Sequence, residues 1–159
     1  MENLLHWPFL VTLLAVLGLV LLLGLTGIGS AIGVSNAGNA LIGGMRKNPD
    51  MFGKGLILCA LPSTQGLYGF AAFFLFLLKL GDMPTLTYMQ AVLIFASGAA
   101  LGCAGYISAL YQSKVVSNGI VEISNGRDVF GQTLILSVFP ELYAILTFAA
   151  SFLVWVFAL

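Results

Sequence analysis

The stretch Leu61-Pro-Ser-Thr-Gln-Gly-Leu-Tyr-Gly-Phe-Ala-Ala-Phe-Phe-Leu75 returns 78 residues later as Phe139-Pro-Glu-Leu-Tyr-Ala-Ile-Leu-Thr-Phe-Ala-Ala-Ser-Phe-Leu153. The two stretches share a proline, a Phe-Ala-Ala tripeptide and a Phe-Leu pair in one ungapped register. Each belongs to an apolar run that is long enough to cross a membrane as a helix. The pair therefore predicts a chain built from two copies of a membrane-spanning unit.

The repeat extends over most of the chain without a gap. The matching positions include turn and packing residues: Gly24, Gly27, Ser30, Ala31, Ser35, Asp50, Phe52, Gly53 and Pro62 pair with Gly102, Gly105, Ser108, Ala109, Ser113, Asp128, Phe130, Gly131 and Pro140. Chance similarity between apolar segments does not align Pro, Gly and Asp in this way. We expect two tandem helical hairpins, residues 1–80 and residues 81–159, that enter the membrane in the same direction.

The composition excludes a soluble domain. Of the 159 residues, 60% are hydrophobic and 8% are charged, and six basic residues balance six acidic ones. The mean hydropathy is +1.05. A soluble domain has about 25% charged residues, and a small domain has a large surface to cover. A soluble enzyme, a disordered chain and a nucleic-acid-binding protein are therefore excluded, and we expect membrane lipid as the solvent.

Polar clusters divide the chain into four apolar segments, and each can span a hydrocarbon core of about 30 Å as a helix. The segments run from about Pro8 to Met45, from Phe52 to about Leu80, from about Leu86 to Ile123, and from Phe130 to the C-terminus. The connectors at 46–50, 81–84 and 124–128 are short, so consecutive helices are antiparallel. The predicted fold is an all-α membrane protein with four transmembrane helices.

The basic residues predict how the chain is oriented in the cell membrane. Five of the six lie near the first and third connectors, and Lys79 alone lies near the middle one. Lysine and arginine are enriched on the cytoplasmic side of membrane proteins. We therefore expect the connectors of helices 1–2 and 3–4 to be cytoplasmic and both termini to lie outside.

Small residues line one face of the first and third segments. They recur every three or four positions, at Gly24, Gly27, Ala31 and Ser35 and again at Gly102, Gly105, Ala109 and Ser113. Small residues let helix backbones approach closely, which favours helix association in lipid. Two interpretations stay open: a compact four-helix monomer, or a homo-oligomeric ring of identical chains with the two thin helices on its inside.

Glu141 is the one carboxylate or basic side chain between Gly131 and Leu159. It lies about 16 Å into the last segment, which is near the middle of a membrane. An ionised group at that depth is costly and points to function, although a protonated glutamate that only hydrogen-bonds neighbouring helices is an alternative. The equivalent position of the first hairpin is Ser63, so the chain has one such carboxylate for four helices.

Three polar side chains are expected at the depth of Glu141. Thr64 and Gln65 lie about 18–20 Å into the second segment, and Gln112 lies about 18 Å from the cytoplasmic end of the third. A proton carrier needs only the carboxyl group, whereas a hard cation needs several oxygen ligands. This favours Na⁺ over H⁺ as the ion. A third interpretation is that these groups only satisfy one another across helix interfaces.

These residues resemble a known family. The stretches 61–70, 112–115 and 140–146 are similar to the membrane rotor proteolipid (the c or K protein) of V-type ATPases in its fused double-hairpin form, and most of all to its bacterial sodium-translocating branch. The resemblance covers nearly the whole chain. It implies that Na⁺ is held by the main-chain carbonyl of Leu61 and by Thr64, Gln65, Gln112 and Glu141, with Tyr68 hydrogen-bonded to the glutamate.

The Leu61 carbonyl rests on the resemblance alone. Proline has no amide N–H, so Pro62 predicts that the carbonyl four residues back, at Leu58, is the one left free. Ser63 stands where the sodium branch has a glycine. The sequence leaves open whether the Ser63 hydroxyl serves the site or only packs.

The resemblance also implies a rotary mechanism with several partners. The chain would be a non-catalytic subunit, and ATP hydrolysis in other subunits would turn a ring of identical chains against a stator membrane subunit. A fixed cation of the stator, an arginine in the family, would displace the ion from Glu141. Central-stalk subunits would dock on the cytoplasmic connectors. The alternatives are a proton-translocating rotor of the same kind and a structural pore subunit, which would need polar residues along a whole helix.

Overall fold

The computed structural model describes residues 2–83 and 85–159, with side chains from residue 8 onward, and contains four helical spans that are long and apolar enough to cross a membrane. The first span is α1 (Glu2–Met45). The second is divided into α2 (Phe52–Ala60) and α3 (Thr64–Asp82), and the others are α4 (Tyr88–Ser124) and α5 (Phe130–Phe157). The all-α, four-span prediction is confirmed. Pro84 of the middle connector lies outside the described residues.

A three-residue 3₁₀ turn, Leu61–Ser63, separates α2 from α3. The amide of Leu61 donates to the carbonyl of Leu58, and the amide of Thr64 donates to the carbonyl of Leu61. The expectation that Pro62 leaves the Leu58 carbonyl free is therefore wrong, because the tighter turn supplies a donor three residues on. Pro140 holds the equivalent position in the second hairpin and leaves α5 continuous.

The ends of α4 are defined by capping residues. Thr87 begins the helix with a capping box, in which its side chain accepts from the amide of Gln90 and the Gln90 side chain accepts from the amide of Thr87. At the other end the amide of Arg127 donates to the carbonyl of Glu122 at 3.1 Å. Gly126 between them has a φ of 85°, which a residue with a side chain rarely adopts. α4 therefore ends in a turn that requires a glycine at position 126.

α1 and α4 form the most extensive helix pair, and glycine makes their close approach possible. A methyl group added at Gly98 would overlap the backbone of Gly18, and one added at Gly29 would lie 2.7 Å from the Cα atom of Tyr106. α3 packs on α1 and α5 packs on α4, while α3 and α5 share a smaller contact. The two hairpins are therefore joined chiefly through α1 and α4.

The two small-residue stripes have different surroundings. Gly102, Gly105, Ala109 and Ser113 of α4 are buried. Their counterparts on α1 lie on its open side, and a methyl group added at Gly24 or Gly27 would meet nothing within 4 Å. One stripe thus packs within the chain, and the other remains on its surface.

Large apolar side chains cover the outer faces of α3 and α5. At least half of each of these side chains is exposed: Leu67, Phe70 and Phe74 on α3, and Ile135, Leu146 and Leu153 on α5. In water such a surface would drive association, whereas in a bilayer it contacts lipid. The chain is a multi-pass membrane protein.

Replacing Gly98 by alanine is expected to lower the free energy of unfolding by about 1–3 kcal/mol, because the added methyl forces α1 and α4 apart. The matched control is Gly131→Ala, since a methyl group there meets nothing within 4 Å. Unfolding of the full chain in detergent micelles, followed by circular dichroism, measures both variants. Equal unfolding midpoints would contradict the close packing of α1 against α4.

Candidate ion-binding site

Four polar side chains from three helices form one connected hydrogen-bond network. The Tyr68 hydroxyl donates to Glu141 Oε1 at 2.7 Å, and Gln112 Nε2 donates to Glu141 Oε2 at 2.9 Å. Gln65 Nε2 donates to Gln112 Oε1 at 2.8 Å. Tyr68 and Gln112, which precede Glu141 by 73 and 29 positions, thus meet at its carboxylate, and Gln65 joins them through Gln112.

The network runs from the interior of the bundle to its surface. Gln65 and Gln112 are fully buried, while Tyr68 and Glu141 are half-buried. Gln65 and Tyr68 are three residues apart and share one face of α3 just after the 3₁₀ turn. The carboxylate therefore sits at the outer edge of the site, with the two amides behind it.

No basic side chain pairs with Glu141 among the described residues. The ion pairs found there join Lys54 to Asp128 and Arg127 to Glu122, and both lie at the connectors. An unpaired carboxylate in an apolar environment is strongly disfavoured. The charge of Glu141 must therefore be balanced by a proton or by a bound cation.

The side-chain oxygen of Gln65 is a buried acceptor without a donor. Gln65 Nε2 gives its hydrogens to Ser108 Oγ at 3.0 Å and to Gln112 Oε1 at 2.8 Å. Gln65 Oε1 is left without a hydrogen-bond partner in the described part of the chain. Buried polar atoms are nearly always paired, so this oxygen is available as a cation ligand.

Leu61 and Thr64 supply a neighbouring pair of oxygen atoms. The Thr64 hydroxyl donates to the Leu61 carbonyl at 3.0 Å, and both residues are half-buried. Within the described residues, no hydrogen bond joins either one to Glu141. The structure thus links Tyr68 and Gln112 directly to Glu141 and links Gln65 to it through Gln112, while Leu61 and Thr64 lie in the adjacent turn.

Two further groups complete the network and were not predicted from the sequence. The Ser108 hydroxyl accepts from Gln65 and donates to the Pro140 carbonyl at 2.8 Å. The Ser137 carbonyl accepts from Gln112 Nε2 at 3.0 Å. Ser108 could have been found from its position one helical turn before Gln112 on the same face, whereas a main-chain carbonyl leaves no trace in the sequence.

Ser63, at the position equivalent to Glu141, makes a local hydrogen bond. Its hydroxyl donates to the Ala60 carbonyl at 2.6 Å. Ser63 thus bonds the backbone of its own span.

Both halves of the chain match one known protein family. The sequence profile of the ATP synthase C subunit matches twice, at residues 17–76 and 95–154, with the same 78-residue offset as the repeat. The chain is 36% identical over 128 residues to the K subunit of the V-type sodium ATPase of Enterococcus hirae, an alignment covering 80% of this chain and 81% of that protein. It is also 36% identical over 135 residues to the K subunit of the A-type ATP synthase of Methanocaldococcus jannaschii, covering 84% of this chain and 57% of that protein.

Replacing Gln112 by leucine is expected to lower the free energy of unfolding by about 2 kcal/mol, because three interhelical hydrogen bonds are lost together. Tyr68→Phe, which loses one, is expected to lower it by about 1 kcal/mol. The control is Tyr143→Phe, because the Tyr143 side chain is 69% exposed. Thermal unfolding of the detergent-solubilised chain gives the order, and an equal effect of all three variants would contradict the network.

Proposed function

The chain belongs to the family of the ATP synthase C subunit, and on that basis we propose that it is a rotor-ring subunit of a rotary V-type ATPase that binds and carries Na⁺, one ion per chain, at Glu141. The family predicted from the sequence is confirmed. The chain is a non-catalytic subunit, so ATP hydrolysis takes place in other subunits. The observation that carries the proposal is the unpartnered, buried oxygen of Gln65 in the network of Glu141.

The oxygen atoms of the site support Na⁺ as the ion. Protonation of Glu141 would balance the charge but would leave Gln65 Oε1 without a partner, at the cost of a buried unsatisfied acceptor. A cation bound by Glu141 and Gln65 satisfies both groups, and oxygen atoms are the ligands that hard cations prefer. Gln112, Thr64 and the Leu61 carbonyl complete the proposed ligand set, and Tyr68 orients the carboxylate. The Enterococcus relative belongs to a sodium ATPase by name.

The proposed transport step follows from the cost of charge in hydrocarbon. With Na⁺ bound, Glu141 is neutralised and the site can pass through lipid as the ring turns. At the stator, a fixed cation would pair with the carboxylate and release the ion. The position of Glu141 at the outer edge of the site, with Gln65 and Gln112 behind it, is where such a partner has access.

The connectors support the proposed orientation. Lys54 of α2 pairs with Asp128 at 2.8 Å, and Lys47 donates to Asn125 at 3.2 Å. The first and third connectors therefore lie together at one end of the bundle. This end carries most of the basic residues, so we place it in the cytoplasm, with both termini outside and the central-stalk subunits docked on these connectors.

The repeat indicates how copies assemble into the ring. Within the chain, Gly29 and Gly33 of the first hairpin face the second hairpin. Their counterparts 78 residues later, Ile107 and Tyr111, are 52% and 57% exposed. The small-residue stripe that is buried on α4 is exposed on α1. Within the chain, the hairpins 1–80 and 81–159 meet where α1 packs against α4, and the equivalent surface of each hairpin is also present on the outside of the chain. The exposed surface of one copy can therefore pack against the exposed surface of the next in the same way, which favours head-to-tail assembly.

Na⁺ is expected to protect Glu141 from dicyclohexylcarbodiimide at neutral pH, because the bound ion occupies the carboxylate. The Glu141→Gln variant should take up no label. Labelling that is indifferent to Na⁺ would favour the proton-carrying alternative.

Replacing Gln65 by alanine should weaken ²²Na⁺ binding by at least about tenfold, since a direct ligand is lost, while labelling of Glu141 is retained.

A disulfide between position 31 of one copy and position 111 of the next tests the ring. In a chain whose Cys59 and Cys103 are replaced by alanine, Ala31→Cys with Tyr111→Cys is expected to give a ladder of cross-linked oligomers that ends at the closed ring. Leu153→Cys with Tyr111→Cys is the control, because Leu153 lies on the lipid-facing side of α5. Monomers alone with the first pair would contradict the head-to-tail arrangement.

A further inference from the structure

Ser108 of α4 contacts both of the other spans that build the site. Its hydroxyl oxygen accepts from Gln65 Nε2 of α3 at 3.0 Å, and its hydroxyl hydrogen is donated to the Pro140 carbonyl of α5 at 2.8 Å. The residue is 4% exposed. Pro140 directly precedes Glu141, so a single hydroxyl ties the amide of Gln65 to the helix turn that carries the carboxylate.

The partners of Gln65 decide which way its amide faces. A side-chain amide can turn by 180° and exchange its oxygen and nitrogen with little change of shape. Gln112 uses its own nitrogen for Ser137 and Glu141, so it presents an oxygen to Gln65. Ser108 also acts as an acceptor, because its hydrogen is committed to Pro140. In the reversed orientation Gln65 Oε1 would face two oxygen atoms.

We propose that Ser108 is a positioning residue for ion binding: it holds the nitrogen of Gln65 and so keeps Gln65 Oε1 free to bind the cation. The inference rests on the proposed function. Ser108 does not touch the ion in this role. Its proposed effect on the ion passes through Gln65, and its bond to the Pro140 carbonyl commits the hydroxyl hydrogen, so that the oxygen can act only as an acceptor.

The repeat supplies a matched control in Ser30. Ser30 is the counterpart of Ser108 in the first hairpin, and it is 7% exposed. Its hydroxyl accepts from the amide of Gly66 at 2.8 Å. Ser30 thus supports the backbone of α3 after the 3₁₀ turn and has no side-chain amide to orient.

The test is the affinity of the purified full-length chain for ²²Na⁺. Ser108→Ala is expected to weaken Na⁺ binding about tenfold, as for the loss of one hydrogen bond that orients a ligand. Ser30→Ala should stay within about twofold of the wild type, because no ligand is released. Ser108→Cys keeps nearly the same side-chain size but offers sulfur, a weak acceptor, so it should show an intermediate loss.

A double-mutant cycle separates positioning from general packing. In a Gln65→Ala background, Ser108→Ala should cause no further loss of Na⁺ affinity. The pH profile of carbodiimide labelling in the absence of Na⁺ should match the wild type, because a proton needs only the carboxyl group. If the losses of Na⁺ affinity from Gln65→Ala and Ser108→Ala add in the double variant, the role of Ser108 is overturned. Wild-type affinity in Ser108→Cys would overturn it as well. Either result would leave the proposed sodium rotor intact. Absence of Na⁺ binding in the wild type would overturn both proposals.

Discussion

Placing one carboxylate in hydrocarbon carries a free-energy cost that governs the arrangement of polar groups around it. Glu141 lies in the last span with no basic partner among the described residues, and it accepts hydrogen bonds from Tyr68 and Gln112. Those donors reduce the penalty but leave the charge unbalanced. A site of this kind is stable only with a proton or a cation bound, and that requirement makes it suitable for carrying an ion through lipid.

The duplication supplies the same scaffold twice and the carboxylate of Glu141 once. Pro62 and Pro140 occupy equivalent positions, yet the first gives a 3₁₀ turn and the second lies within a continuous helix. Glu141 is matched by Ser63, whose hydroxyl bonds the backbone of its own span. The two hairpins therefore share a repeated scaffold but differ in chemistry at the position of Glu141. They also differ where they meet, since Gly29 and Gly33 of the first are Ile107 and Tyr111 in the second.

Glycine packing connects this scaffold to the site. The close approach of α1 and α4, with Gly18 against Gly98, brings the two hairpins together. Gln112 Oε1 of the second hairpin then lies 2.8 Å from Gln65 Nε2 of the first. Bulkier residues at Gly18 and Gly98 would push α1 and α4 apart and so separate the two side-chain amides, because a glutamine side chain cannot bridge a wider gap. The small residues thus support the candidate ion site indirectly, through the spacing of the helices.

The four spans, the 78-residue repeat and the expected common depth of Gln65, Gln112 and Glu141 follow from the amino-acid sequence alone. Hydropathy, register and helix rise are properties of the local chain. That Ser108 and the Ser137 carbonyl belong to the network is visible only once the helices are packed together. The tertiary structure also showed that the Leu58 carbonyl is already bonded and that one small-residue stripe is buried while its copy is open. These features depend on which helix faces meet and on how side-chain amides are turned. Both are set by contacts between residues far apart in the chain.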